Sequence, residues 1–369
     1  MRNWLESQQQ RAKSKIKERI NNVLEHGQYI MGPEVYELES QLSKYVGCEY
    51  AISCSSGTDA ILMALMAFGV KGPGVTIFTT PFSFIATAEV AALLGATIFF
   101  VDIDPKTFNI DPDKLKERVS SMGLRNAAGV IAVDMFGLPA DYNRLRSICA
   151  EYEMFLIEDA AQSFGARFYD KKAGSLTDIG CTSFFPSKPL GCYGDGGMCF
   201  TDNMTFKNIM ESIRTHGKYK DKYHNVRVGL NARLDTIQAA ILLEKFYLYK
   251  TEFWLRQRIA SQYNEMLKDV PNIQIPYVPA HCKSAWAQYS ILAENSDHRE
   301  YIRNKLINEG FDSPIYYPTP LHLQPVFKSL CYSEGSFPVA EDVCKRIFSI
   351  PIHPYLTKFE QEKIVEVIT

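Results

Sequence analysis

Between residues 50 and 160 short apolar runs alternate with helical patterns, and this alternation allows few architectures. The runs YAIS (50–53), VTIFTT (75–80), ATIFFVDID (96–104), AAGVIAVD (127–134) and MFLIEDA (154–160) read as strands buried on both faces. The segments between them, 58–68, 84–94, 111–120 and 139–151, read as helices. Strands and helices alternating at this spacing predict a mostly parallel sheet with helices on both sides. Ligands of such sheets bind at the carboxyl ends of the strands.

The rest of the chain extends this plan. A helical stretch beginning at ARLDTIQ after Asn231 meets no Gly or Pro before Val270 and Pro271, long enough to lead from one unit into another. Prolines 271, 276, 279, 314, 318 and 320 then break up short elements, as expected of a small α/β domain. The first 30 residues read as an amphipathic helix docked on the body or on a partner, and Pro33 after Gly32 suits the first turn of the next helix. The predicted organisation is a helical segment (1–30), a large α/β domain (31–245) and a smaller C-terminal α/β domain (246–369).

Composition excludes some functions. A net charge of −2 gives no bulk attraction for nucleic acid or an anionic membrane. Nine scattered cysteines, with no Cys-x-x-Cys pair, fit free thiols in a reducing compartment and offer no metal site. The charged N-terminus lacks a signal-peptide core, and no run of 18 apolar residues occurs, so a cytoplasmic protein is predicted.

Three constellations carry chemistry. In SCSSGTDAILMALMAFG small residues 54–57 join a strand to an apolar helix, whose free N–H groups suit an anion. A plain helix capped by Ser55 or Ser56 explains the same residues. In FLIEDAAQSFG an apolar strand ends on Glu158-Asp159, only one of which can face a given ligand. Asp159 as a helix cap is the simpler alternative. In SFFPSKPLGCYGDGGM, Pro186 and Pro189 keep Lys188 out of a regular helix, and its aromatic neighbours suggest partial burial. Desolvation lowers a lysine's pKa and makes it a nucleophile, although a lone loop lysine is more commonly a solvated charge. The glycines after it do not open a helix after a strand, as a dinucleotide fingerprint requires. A phosphate cradle, an acid for a pyridine nitrogen and an amine for an aldehyde together are what pyridoxal phosphate needs. Phe82 or Phe84 in TTPFSFIAT offers a ring to stack on it.

On these motifs, with HGQYIMGPEVYELE (26–39), VGLNARLDTIQAAIL and IPIHPYL (350–356), the chain resembles the DegT/DnrJ/EryC1/StrS nucleotide-sugar aminotransferases along essentially its whole length. The resemblance implies the type I, aspartate aminotransferase-like fold of pyridoxal-phosphate enzymes. Lys188 would bond the cofactor's aldehyde and Asp159 would pair with its pyridinium. Gln162 would meet the ring hydroxyl, and Phe84 would stack on the ring. Gly57, Thr58 and Ser183 would hold the phosphate, joined across a homodimer interface by Asn231. Arg233, His216, Tyr317 and His322 would meet the substrate. Lysine where a dehydratase branch carries histidine implies transamination from L-glutamate, with pyridoxamine phosphate and 2-oxoglutarate formed midway. Ser187 before the lysine argues against a cysteine desulfurase on this fold, and intact Lys188 and Asp159 argue against a non-catalytic regulator.

The wording is nearest the branch that aminates C3 of a UDP-linked 2-acetamido-3-keto-hexuronic acid for surface polysaccharide. His216, Lys218, Tyr223, Arg227 and Arg233 suit a diphosphate and a carboxylate, although His216, Lys218 and Arg227 taken singly read as solvated loop residues. Tyr316 stands where relatives commonly have histidine, a departure beside the expected sugar site. The alternative is a 3- or 4-aminotransferase of a dTDP- or UDP-linked keto-deoxysugar.

Overall fold

The computed structural model describes residues 4–123, 128–219, 221 and 223–369. Ala127, the expected first residue of the fourth strand, and two lysine positions (220 and 222) of the basic 216–235 stretch lie outside them. The strands of the first two thirds are β1 (Tyr50–Cys54), β2 (Thr76–Thr79), β3 (Thr97–Phe100), β4 (Ala128–Val133), β5 (Phe155–Asp159), β6 (Arg167–Phe168), β7 (Lys171–Lys172), β8 (Ile179–Ser183) and β9 (Gly197–Thr201). Seven of them form one sheet in the order β1-β9-β8-β5-β4-β2-β3. The run from β8 to β3 is parallel, and β9 is antiparallel to both of its neighbours.

The five expected strands are present, with β3 ending at Phe100 instead of running to residue 104. Asp102 is used otherwise: its carboxylate accepts from the Val339 and Ala340 N–H groups at 3.0 and 2.9 Å, capping the helix Pro338–Arg346. Strands β8 and β9 were not foreseen. IGCTS and GMCFT carry glycine and small polar residues instead of an unbroken apolar run, yet every residue in both is buried.

Side chains alternate across the sheet, and the two faces have separate cores. Ile77, Ile131, Val133 and Ile157 pack with the helix α3 described below, whereas Phe78, Val130, Ala132 and Leu156 pack under the helices Pro112–Met122 and Tyr142–Glu151. Odd-numbered residues of β5 therefore face the first core. Asp159 belongs to that face and Glu158 to the other.

Helices α1 (Trp4–His26), α2 (Pro33–Val46), α3 (Gly57–Ala67) and α4 (Ala86–Leu93) precede the third strand. The first docks on the long helix Thr236–Leu267 of the same chain. Gln8 donates to Glu252 at 2.8 Å, Arg19 bridges Glu244 and Glu37 at 2.6 and 2.8 Å, and Ala12 and Ile16 pack on Ile241. The long helix serves two cores. Leu242, Phe246 and Phe253 pack with α2 and Phe164, while Ile259, Tyr263 and Leu267 pack on an antiparallel sheet of Ile273–Gln274, Tyr289–Ala293 and Ile347–Ile350. Ala285 and Ala287 donate backbone bonds to Gly137 and Phe136, and Leu321 donates to Pro81 at 2.7 Å. These ties bring segments of the C-terminal third over the carboxyl ends of the parallel strands.

Candidate active site

At the end of β1 the backbone of Ser56 is extended, and its Oγ accepts the Asp59 N–H at 3.0 Å. Ser56, of the two candidates, is the cap. The amides of Gly57 and Thr58 open α3, and first-turn amides have no acceptor within their own helix. Close packing here demands glycine. A Cβ on Gly57 would lie 2.7 Å from the Ser183 Cβ, and one on Gly197 would lie 2.2 Å from the Ser56 carbonyl oxygen. The carboxyl end of β8 is thereby pressed against the helix start, which places Ser183 beside the free amides.

Asp159 ends β5 on the α3 side and is 5 % exposed. Its Oδ2 accepts from Thr87 Oγ1 at 2.7 Å, Thr87 is linked to Ser83 at 3.0 Å, and Oδ1 accepts the Ala161 N–H at 3.2 Å. Burial raises its pKa, against the opposing pull of these donors and of Lys188. Turns, not a helix, follow Asp159, so it does not act as a helix cap. Glu158 points to the other face, where it accepts the Gly174 and Leu176 N–H groups at 2.7 and 3.0 Å.

Lys188 lies in the loop that joins β8 to β9. Backbone bonds from Phe184 to Gly196 (2.7 Å), from Cys192 to Phe184 (2.8 Å) and from Lys188 to Phe185 (2.9 Å) shape it. Gly191 is required, because a Cβ there would meet the Phe185 and Pro186 carbonyl oxygens at 2.5 and 2.7 Å. Phe184 is buried in the core and Phe185 is exposed at the cavity. Desolvation lowers the pKa of Lys188, and the charge of Asp159 opposes the shift.

The Gln162 Oε1 accepts the Phe136 N–H at 2.8 Å, and its Nε2 donates to the Tyr317 hydroxyl at 3.5 Å. Burial, with Asp159 nearby, pushes the Tyr317 pKa up and keeps the phenol neutral. The pattern left Phe82 and Phe84 open. Phe82 is wholly buried against Phe108, Phe136 and Tyr317, while Phe84 is 55 % exposed, with its ring 6.5 Å from that of Tyr317. Gly57, Thr58, Phe84, Asp159, Gln162, Ser183, Lys188 and Tyr317 all line one cavity of about 700 Å³, large enough for a cofactor with a substrate. Ser187 lines it too, as do Thr87, Asp195 and Gln288, which nothing in their local sequence marked.

Four expected residues are elsewhere. His322 is 2 % exposed; its Nε2 lies 3.1 Å from Glu341, and its ring packs on Phe337. Desolvation lowers its pKa, and it is not among the residues that line the cavity. His216 and Asn231 are exposed and, with Arg233, stay off the cavity wall. Arg233 donates to Asn231, and its Nε is buried with no partner among the described residues. The segment passes beside the start of α3, where the Ser55 N–H donates to the Ala232 carbonyl at 3.2 Å.

Known proteins match the chain along nearly its whole length. Residues 10–369 match the DegT/DnrJ/EryC1/StrS aminotransferase family. The chain is 44 % identical over 352 residues, 95 % of its length and 94 % of the relative's, to the UDP-2-acetamido-2-deoxy-3-oxo-D-glucuronate aminotransferase of Pseudomonas aeruginosa. A crystal structure of a DegT/DnrJ/EryC1/StrS aminotransferase from Brucella abortus is 46 % identical, with TM-score 0.92 over 98 % of this chain and 96 % of that one. NtdA from Bacillus subtilis, solved with pyridoxamine phosphate bound, is 29 % identical, with TM-score 0.88 over 97 % and 81 % of the two chains.

Proposed function

Because the chain belongs to the DegT/DnrJ/EryC1/StrS aminotransferase family, we propose that it moves the amino group of L-glutamate to C3 of UDP-2-acetamido-2-deoxy-3-keto-glucuronic acid. It is a pyridoxal-phosphate-dependent sugar aminotransferase of the type I fold. The observation that carries the choice of sugar is the 44 % identity, along nearly the whole chain, to an enzyme named for that substrate. The product would serve surface polysaccharide synthesis in the cytoplasm, a compartment that suits nine unpaired thiols.

The donor set fits the cofactor. The amides of Gly57 and Thr58 with the hydroxyl of Ser183 would hold its phosphate. Asp159 would bond the ring nitrogen, Gln162 the ring hydroxyl, and Phe84 would cover a face, all three lining the cavity. When bound, pyridoxal phosphate supplies an electron sink for carbanions formed beside the transferred nitrogen. Asp159 has to stay anionic to keep that sink protonated, and the Thr87 hydroxyl and Ala161 amide favour its charge. The Nζ of Lys188, lowered in pKa, takes a proton from the carbon that bears the nitrogen and returns it as an acid. Asn231 and Arg233 act at the site of a second copy, Arg233 toward the acidic substrate.

Incubation with 15N-labelled L-glutamate and a panel of nucleotide keto sugars tests the sugar. The 3-keto-uronate is expected to gain the label. Labelling only of dTDP- or UDP-linked keto-deoxysugars, which lack the carboxylate, would favour the alternative.

A further inference from the structure

Beneath the cavity, on the opposite face of the sheet, lies a polar cluster that the transamination chemistry leaves unused. Parallel pairing sets Ala132 opposite Glu158 and Val133 opposite Asp159. Asp134, one residue beyond β4, thus shares a face with Glu158, and the two carboxyl groups come within hydrogen-bonding reach. Both are 0 % exposed.

Their remaining partners are all neutral. Asp134 accepts from Tyr142 Oη at 2.7 Å, Ser163 Oγ at 2.6 Å and the Ala140 N–H at 3.0 Å. Glu158 accepts two backbone N–H groups, those of Gly174 and Leu176. Among the described residues no lysine, arginine or histidine bonds either carboxyl. The other titratable groups around them are the Tyr142 phenol, the Cys181 and Cys282 thiols, and Asp159 on the far face. Two touching carboxylates, both out of water and without a cation, cannot both stay ionised.

We propose that Glu158 and Asp134 share one proton, carried on Glu158 and donated to the Asp134 carboxylate, and that this pair positions the turn following Asp159. Asp134, with three donors against two, is the better-supported anion. The pair ties together the end of β4, the 173–176 turn and, through Ser163, the turn that holds Gln162. A neutral Glu158 leaves Asp159 as the one charged carboxylate of its strand. Only this last consequence rests on the cofactor reading.

The pH dependence of unfolding tests the pair without reference to turnover. A buried acid whose pKa is raised on folding keeps its proton while the unfolded chain loses it, so stability falls as pH rises above the ordinary carboxyl range. In the cofactor-loaded full chain, Glu158→Gln keeps the bond to Asp134 but cannot titrate. Between pH 5 and 8 the wild-type unfolding constant is expected to rise more steeply than that of the variant, by up to about tenfold per pH unit. Asp159 is the same in both proteins, so the difference isolates the pair. Infrared spectra at pH 7 should show a protonated-carboxyl band in wild type that is lost in Glu158→Gln. In Asp134→Asn the band should persist but shift, because the protonated group loses its carboxylate acceptor. Equal slopes, or no such band in wild type, would overturn the proposal.

Discussion

The cavity and the 216–233 segment hold similar polar residues, but they are held differently. Asp159 is fixed by Thr87 and a backbone amide, and Gln162 by Phe136 and Tyr317, each supplied by a different element of the same chain. Asn231 and Arg233 bond each other at the surface, and a buried guanidinium nitrogen has no partner among the described residues. Side chains held from within one chain keep their place without a partner, whereas side chains that bond each other at the surface suit contact with a second copy. Breaking each region should therefore give a different kind of defect.

The largest effect is expected at Lys188. Lys188→Ala should lower turnover by about 10⁴-fold or more, because among the described residues no other amine lines the cavity, and a rate within tenfold of wild type would contradict its role. Since the base has to be neutral and its pKa lies below the ordinary lysine value, the wild-type rate should rise with pH and level off below that value. The segment's defect should be rescuable. Asn231→Ala and Lys188→Ala proteins, each nearly inactive, should regain up to about a quarter of wild-type activity when refolded together, because some mixed dimers carry one intact site. Failure to regain any activity, with mixed dimers demonstrated, would remove the cross-subunit role.

Smaller effects sharpen the account of the cavity. Thr87→Val removes a donor to a buried carboxylate, which should cost about 1–2 kcal/mol in the step that Asp159 supports, seen as about a 5- to 30-fold loss in kcat. An unchanged kcat would show that Asp159 needs no support. His322→Ala should act on stability alone, by about 2 kcal/mol in denaturant unfolding, through loss of the Glu341 bond and of core packing. A selective rise in the sugar's KM at unchanged stability would put His322 back at the substrate.

Legibility in the sequence follows the same division. Strands β1 to β5 could be read because each is an apolar run between turn signals. Strands β8 and β9 could not, since Gly180, Thr182 and Gly197 carry little of their burial in their chemistry; tertiary packing supplies it. Asp159 and Lys188 stood out because a carboxylate at a strand end and a lysine between prolines are unusual locally. Thr87 did not, being an ordinary first-turn residue whose partner is 72 positions away. Phe82 and Phe84 are alike in pattern and differ only in which side of their loop meets the core. His322 comes to the substrate through the resemblance alone, and the Glu341 carboxylate beside its ring lies 19 residues further on.

The measurement closest to the central claim is the visible absorption spectrum of the protein loaded with pyridoxal phosphate, before and after L-glutamate, for wild type and Lys188→Ala. The wild type is expected to show the long-wavelength band of a lysine-bound cofactor, which glutamate replaces with the shorter-wavelength pyridoxamine spectrum, while the variant shows no such band. A wild-type band that glutamate leaves unchanged, or the same band and conversion in the variant, would contradict an amino transfer that runs through Lys188.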